Sequence, residues 1–266
     1  LSSLLEGELF KGKSYFQYLG KDFSFKETIN LNTYNTKNYK NTSIYYEDGI
    51  SVNIDEMNNT INIIQNLTGA KAYIIDGKLE KVKINFTGSS NKKNKKTKDF
   101  PINEKGLTGC LSLINLKLSN IYLSATNSSC EDNINFINTS GTVESIKIDN
   151  SISDGLDIDF SNLKIKNIDI SSAKNDCVDF SYGIYNVEEL NLSNCGDKAL
   201  SVGEKSHLIL TNINAKNSSI GIASKDSSTV SMKNGNFNFV DTCLSAYKKK
   251  QEFEGGIINF SNMTCN

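Results

Sequence analysis

Arginine is absent from this chain: all 29 basic residues are lysine. No bidentate guanidinium clamp can therefore enter its chemistry, and cationic work falls to lysine or a metal ion. Tryptophan is also missing, Pro101 is the single proline and His207 the single histidine. Scarce proline suits closely stacked strands, whose ladders it would interrupt. A lone histidine and the lack of any CxxC spacing exclude the usual zinc constellations. The formal net charge of −1 gives no global attraction to nucleic acid. No apolar run approaches the ~20 residues of a membrane span. LSSLLEGELF at the start lacks the charged and apolar stretches of an intact signal peptide.

What is present is a repeat. Asp132, Asp154, Asp176, Asp197 and Asp241 follow one another at gaps of 22, 22, 21 and 44 residues, with Ser219 where the missing aspartate would fall. Similar strand patterns accompany them: DNINFIN, DGLDIDFS, DCVDFSYG, DKALSVGE, SIGIASKD and DTCLSAYK. A period in the twenties means one supersecondary unit stacked on itself. The expected fold is all-β, a parallel β-helix with rungs of about 22 residues, right-handed by the usual crossover preference. The β-helix is expected over 101–266. Residues 1–100 are read as an N-terminal cap followed by early or irregular strands. Within the cap, LSSLLEGELF reads as a short helix and 91–99, rich in lysine, as a solvated loop.

Counting each aspartate (or Ser219) as position one, position three holds Ile134, Leu156, Val178, Ala199, Gly221 and Cys243. These apolar or small residues mark the inward face. Position four holds Asn135, Asp157, Asp179, Leu200, Ile222 and Leu244. Alternation thus places Asp157, Asp159 and Asp179 outward on neighbouring rungs, with Lys198 diagonally beside Asp179. Farther along, Lys225 and Tyr247 share one column, and Glu204, Asp226 and Lys248 the next. That second group reads as a self-compensating charge ladder or as the floor of a sugar subsite.

Six cysteines fit an oxidising compartment, secreted or at the cell surface. Cys243 and Cys265 fall in one column on adjacent rungs, Cys110 and Cys130 pair similarly, and Cys177 with Cys195 is an offset fit. Buried free thiols are the alternative.

Outward carboxylates stacked ~5 Å apart repel by roughly 3–4 kcal/mol at an effective dielectric near 20. A bound cation, a neighbouring ammonium or a raised pKa relieves this. The oxygen-rich, histidine-free set Asp157, Asp159 and Asp179 suits Ca²⁺ among metals. The bland reading of the position-one aspartates is that they cap turns by bonding backbone amides.

SDGLDI (153–158) and NDCVDF (175–180) resemble the paired signatures of the polygalacturonase-type glycoside hydrolases, which are right-handed β-helices of the pectin-lyase-like superfamily. The resemblance implies catalytic roles for Asp154 and Asp176. Asn175 stands where that family has its proton donor, GDKAL with Lys198 replaces its Gly-His-Gly segment, and its arginine has no counterpart. These departures point toward other acid–base work on an acidic polysaccharide: a lyase, epimerase or hydrolase using Asp154, Asp157, Asp176, Asp179 and Lys198. Asn135, Asn175, Lys225, Tyr247 and Lys248 would contact the substrate. The alternative class is a non-catalytic, glycan-binding or adhesive surface solenoid.

Overall fold

In a computed structural model, residues 33–89 and 107–266 are described. The expected capping helix and the lysine-rich loop at 91–99 lie outside them. Among the described residues there is no α-helix, and none long and apolar enough to cross a membrane. Sixteen strands form one continuous sheet wound into a parallel β-solenoid with stacked turns.

The fold begins with antiparallel strands. β1 (Asn35–Tyr39) pairs with β2 (Thr42–Tyr46), and β3 (Ile50–Asp55) forms a hairpin with β4 (Thr60–Gln65). β5 (Ala72–Glu80) and β6 (Lys83–Thr87) then lie parallel to the two halves of β7 (Gly109–Thr126). From β7 onward every pairing is parallel. The short strands β8 (Asp132–Ile137), β10 (Asp154–Asp159) and β12 (Val178–Ser181) stack on one side. β9 (Ser140–Ser151) and β11 (Asn162–Ala173) stack on another. The long strands β13 (Ile184–Gly203), β14 (His207–Lys225) and β15 (Thr229–Tyr247) continue both, and β16 (Ile257–Cys265) ends the described ladder.

Asparagine-rich corners follow from backbone chemistry. One column of corner residues, Asn115, Asn138, Phe160, Tyr182, Glu204 and Asp226, has φ between 47° and 54° throughout. Asparagine tolerates this left-handed region because its amide bonds locally. Here the amides also link rungs: Asn138 donates to Asn115 at 2.8 Å, and at another corner Asn150 donates to Asn127 at 2.7 Å.

Inside, Leu111, Ile134, Leu156, Val178, Leu200 and Ile222 form one apolar column. This corrects the expected register in the later turns. Asp176 is aligned with Lys198, 22 residues on, rather than with Asp197, so Leu200 and Ile222 point inward and Ser201 and Ala223 point outward. A one-residue slip exchanges the two faces of a strand. The slip arises because Asp197 sits one residue ahead of the true period, at the irregularity between Cys195 and Lys198.

Disulfides join Cys110–Cys130, Cys177–Cys195 and Cys243–Cys265. The pairings are those expected, but the geometry of the last is not. Cys265 lies in register with Phe237, so its bond to Cys243 crosses a corner instead of running up one column. The Cys177–Cys195 bond closes a separation of 18 residues next to the acidic strands. Replacing both cysteines with serine is expected to cost about 3 kcal/mol, read as a lowered urea midpoint, with a steeper slope because the unfolded chain is less constrained.

Candidate functional site

The site grows from the outward stripe of the short strands. Tyr73, Ser112, Asn135, Asp157, Asp179, Ser201, Ala223 and Ser245 stand in register, one per turn. Beside them runs Ile75, Ile114, Ile137, Asp159, Ser181 and Gly203. At the early end this face is closed by an apolar cluster in which Tyr34, Tyr45 and Leu107 cover Tyr73, Ile75, Ile114 and Ile137. At the other end residues 248–256 cross it. There the amides of Lys249 and Lys250 both donate to Asp226 Oδ1 at 2.7 Å, and Lys250 pairs with Glu204 at 2.5 Å. Between these covers lie the carboxylates.

Asn135, 1% exposed, donates its amide to Asp157 Oδ2 at 3.0 Å and to Asp159 Oδ2 at 3.4 Å. Asp157 and Asp159 stand two residues apart on β10, and the one Asn135 amide reaches both. Burial, followed by the charge of Asp159, holds Asp157 well above the usual carboxylate range. Burial and the charge of Asp179 push Asp159 up to about 7. Directly across the ladder from Asp157 stands Asp179, pushed up to about 6 by burial despite the opposing ammonium of Lys225. Lys225 Nζ lies 3.4 Å from Asp179 Oδ2 and donates to Ser201 Oγ at 2.7 Å. To reach Asp179 the lysine lies back across Gly203, where a side-chain carbon would come within 2.7 Å of Lys225 Cε.

Asp154 and Asp176, singled out by resemblance, stand at the strand edge and stitch rungs together. Asp154 Oδ1 accepts the amides of Asn175 (side chain, 2.6 Å) and Asp176 (backbone, 2.9 Å). Asp176 Oδ1 accepts the backbone N–H of Lys198 at 3.0 Å. Burial raises both, Asp154 to about 6. Lys198 is not beside Asp179. Its ammonium joins Asp197 and Asp176. Burial lowers the Lys198 pKa, but these two carboxylates outweigh it and the net shift is upward. Lys225 behaves the same way, with Asp179 and Glu204 overcoming burial. Tyr247 stands one turn beyond Lys225, and Lys248 is exposed beside it.

One neighbouring feature escaped the sequence reading. Phe160 and Tyr182, both left-handed in backbone, stack with ring centroids 4.8 Å apart and planes within 8°. Bulky residues at positive φ store strain, and this pair forms a half-buried aromatic shelf next to Asp159 and Ser181. Buried Phe253 meets Tyr182 edge-on at 6.3 Å. Only the recurrence of the corner column could have drawn attention to this stacked pair. Glu204, read from the sequence as part of the second charge column, accepts the Ser181 hydroxyl at 2.6 Å.

Among the described residues no three carboxylate, imidazole or thiol groups converge on one point. An amide N–H faces Asp157 and Asp159, and an ammonium faces Asp179.

The raised carboxylates set a pH dependence. A folded pKa above the unfolded value of about 3.8 means the native state holds more protons than the unfolded chain between pH 4 and 7. Stability from this source is fully present below pH ~4 and falls as pH rises through about 6 to 7. Calorimetric melting is expected to be lower at pH 8 than at pH 5, and Asp159→Asn to flatten the difference by at least about 1 kcal/mol.

No family model, curated protein or solved structure matches this chain. The likeness to polygalacturonase-type hydrolases thus rests on SDGLDI and NDCVDF alone.

Proposed function

We propose that the acidic face of β8, β10 and β12 hydrolyses glycosidic bonds in a polysaccharide outside the cell. The carrying observation is the placement of Asp157 directly across the ladder from Asp179, with Asp159 beside it under the same Asn135 amide and Lys225 Nζ 3.4 Å from Asp179 Oδ2. One carboxylic acid and one carboxylate flanking a bond are what glycoside cleavage requires. Asp157 or Asp159, whichever of the raised pair holds the proton, protonates the leaving oxygen. Asp179 faces the anomeric carbon as nucleophile. Adjacent strands lie about 4.8 Å apart, close to the ~5–5.5 Å carboxyl separation of retaining enzymes, so the expected product keeps its anomeric configuration. The aromatic shelf of Phe160 and Tyr182 offers a flat apolar surface for a sugar ring.

The lyase and epimerase mechanisms need a lysine with a lowered pKa as base. Lys198 and Lys225 are both shifted upward, and hydrolysis is the reading they favour. Three disulfides suit an extracellular setting. A second reading, glycan binding without turnover, draws on Asp154 and Asp176, which link rungs as a structural ladder does. The two are separated by incubating the protein with a panel of neutral, uronic and amino polysaccharides. New reducing ends that disappear in Asp157→Asn support hydrolysis. Binding without new ends leaves the second reading.

A further inference from the structure

The chemistry of this face also selects the charge of its ligand, and here the expectation of an acidic polysaccharide reverses. We infer that the site takes a cationic glycan, one bearing amino-sugar ammonium groups. The inference rests on the hydrolytic reading for its choice of a sugar, and on separate observations for its charge.

Asp154, Asp157 and Asp159 lie on β10, Asp179 on the neighbouring β12, and Asp176 just before β12. The ammoniums within reach are already engaged: Lys198 by Asp176 and Asp197, Lys225 by Asp179, Lys250 by Glu204. A uronate would bring another negative charge into a half-buried carboxylate cluster whose members already repel. In this low-dielectric setting like charges cost several-fold more than in water.

Hydrogen-bonding capacity points the same way. The polar atoms left without a partner along the outward stripe are Ser112 Oγ, Asn135 Oδ1 and Asp179 Oδ1. All three accept, and the last two accept only. Asn135 is almost wholly buried; its amide nitrogen is fixed on Asp157 and Asp159, and the oxygen of the same amide is left without a donor. A carboxylate ligand also only accepts, so it could take the Ser112 hydroxyl hydrogen but satisfies neither Asn135 Oδ1 nor Asp179 Oδ1. An ammonium carries three donors and a compensating charge. A metal ion would answer the charge, but no three ligands converge to hold one. The stacked rings of Phe160 and Tyr182 add a surface that attracts a cationic ring through both its apolar and its charged parts.

The test is calorimetric titration of the whole chain with three short oligosaccharides: glucosamine, its N-acetylated counterpart, and galacturonate. The glucosamine oligomer is expected to bind at least about tenfold more tightly than the acetylated one and to weaken as salt is added. That preference should vanish in Asp159→Asn, with circular dichroism verifying the fold, and Asp169→Asn on another face should keep it. Equal or tighter binding of galacturonate overturns the inference, as does a lysine homopolymer that binds these residues as tightly as the glucosamine oligomer. Cleavage of a neutral or uronic glycan without glucosamine binding overturns it while leaving hydrolysis standing. Glucosamine binding without cleavage of any glycan upholds the charge preference and removes hydrolysis instead.

Discussion

Asp179→Asn is expected to lower turnover by about three orders of magnitude or more, far beyond its effect on substrate affinity. The substitution is nearly isosteric, so the strand pairing of Asp179 with Asp157 and Ser201 is preserved. What it removes is the negative charge opposite the protonated pair. A nucleophilic carboxylate acts chiefly in the transition state, where positive charge develops at the anomeric carbon. Loss of a group that works only there lowers kcat and kcat/KM together and leaves KM nearly unchanged. A purely structural role would instead show as a lower melting temperature with binding and turnover falling in step. Single-turnover kinetics on the polysaccharide that gives reducing ends distinguishes them.

Lys225→Met is expected to destabilise the fold by about 3 kcal/mol, because removing one partner of a buried pair strands the other. The lysine is 5% exposed in its side chain and Asp179 23%. Methionine matches the apolar stem that lies over Gly203 but offers no charge to Asp179 and no donor to Ser201. Asp179 would then be driven further above its already raised pKa. The double variant Lys225→Met/Asp179→Asn is expected to recover much of the loss, since neither member is left charged alone. Urea unfolding of the two single variants and the double one gives this coupling directly. Additive losses would mean that Lys225 contributes packing alone.

The architecture was legible because a solenoid writes its period into the chain. Ile134, Leu156 and Val178 share an inward column, and Asn135, Asp157 and Asp179 share an outward one, and both are in the structure as the alternation required. The register failed where a chemical coincidence competed with it. Asp197 resembles the earlier aspartates yet precedes the true position by one residue, and a period-two pattern punishes a slip of one by exchanging faces. That slip hid Ser201 and put Lys198 beside Asp179, a place that Lys225 takes by folding back over a glycine. Side-chain reach of this kind has no period. Nor does the stack of Phe160 on Tyr182, which depends on two bulky residues accepting a left-handed backbone where asparagine precedes them in the column. The disulfide partners were readable from spacing, while their passage across corners depended on how each turn is folded.

The hydrolytic reading of this face depends on a proton residing on the Asp157/Asp159 pair while Asp179 is ionised. Carbon-13 NMR titration of the aspartate side-chain carboxyls, assigned by Asp157→Asn, Asp159→Asn and Asp179→Asn, measures this directly. The account predicts that the Asp157/Asp159 pair still holds a proton at pH 6.5, with its midpoint near 7 or above, and that Asp179 titrates near 6. Three carboxyls ionising together near pH 4, as ordinary aspartates do, would contradict it.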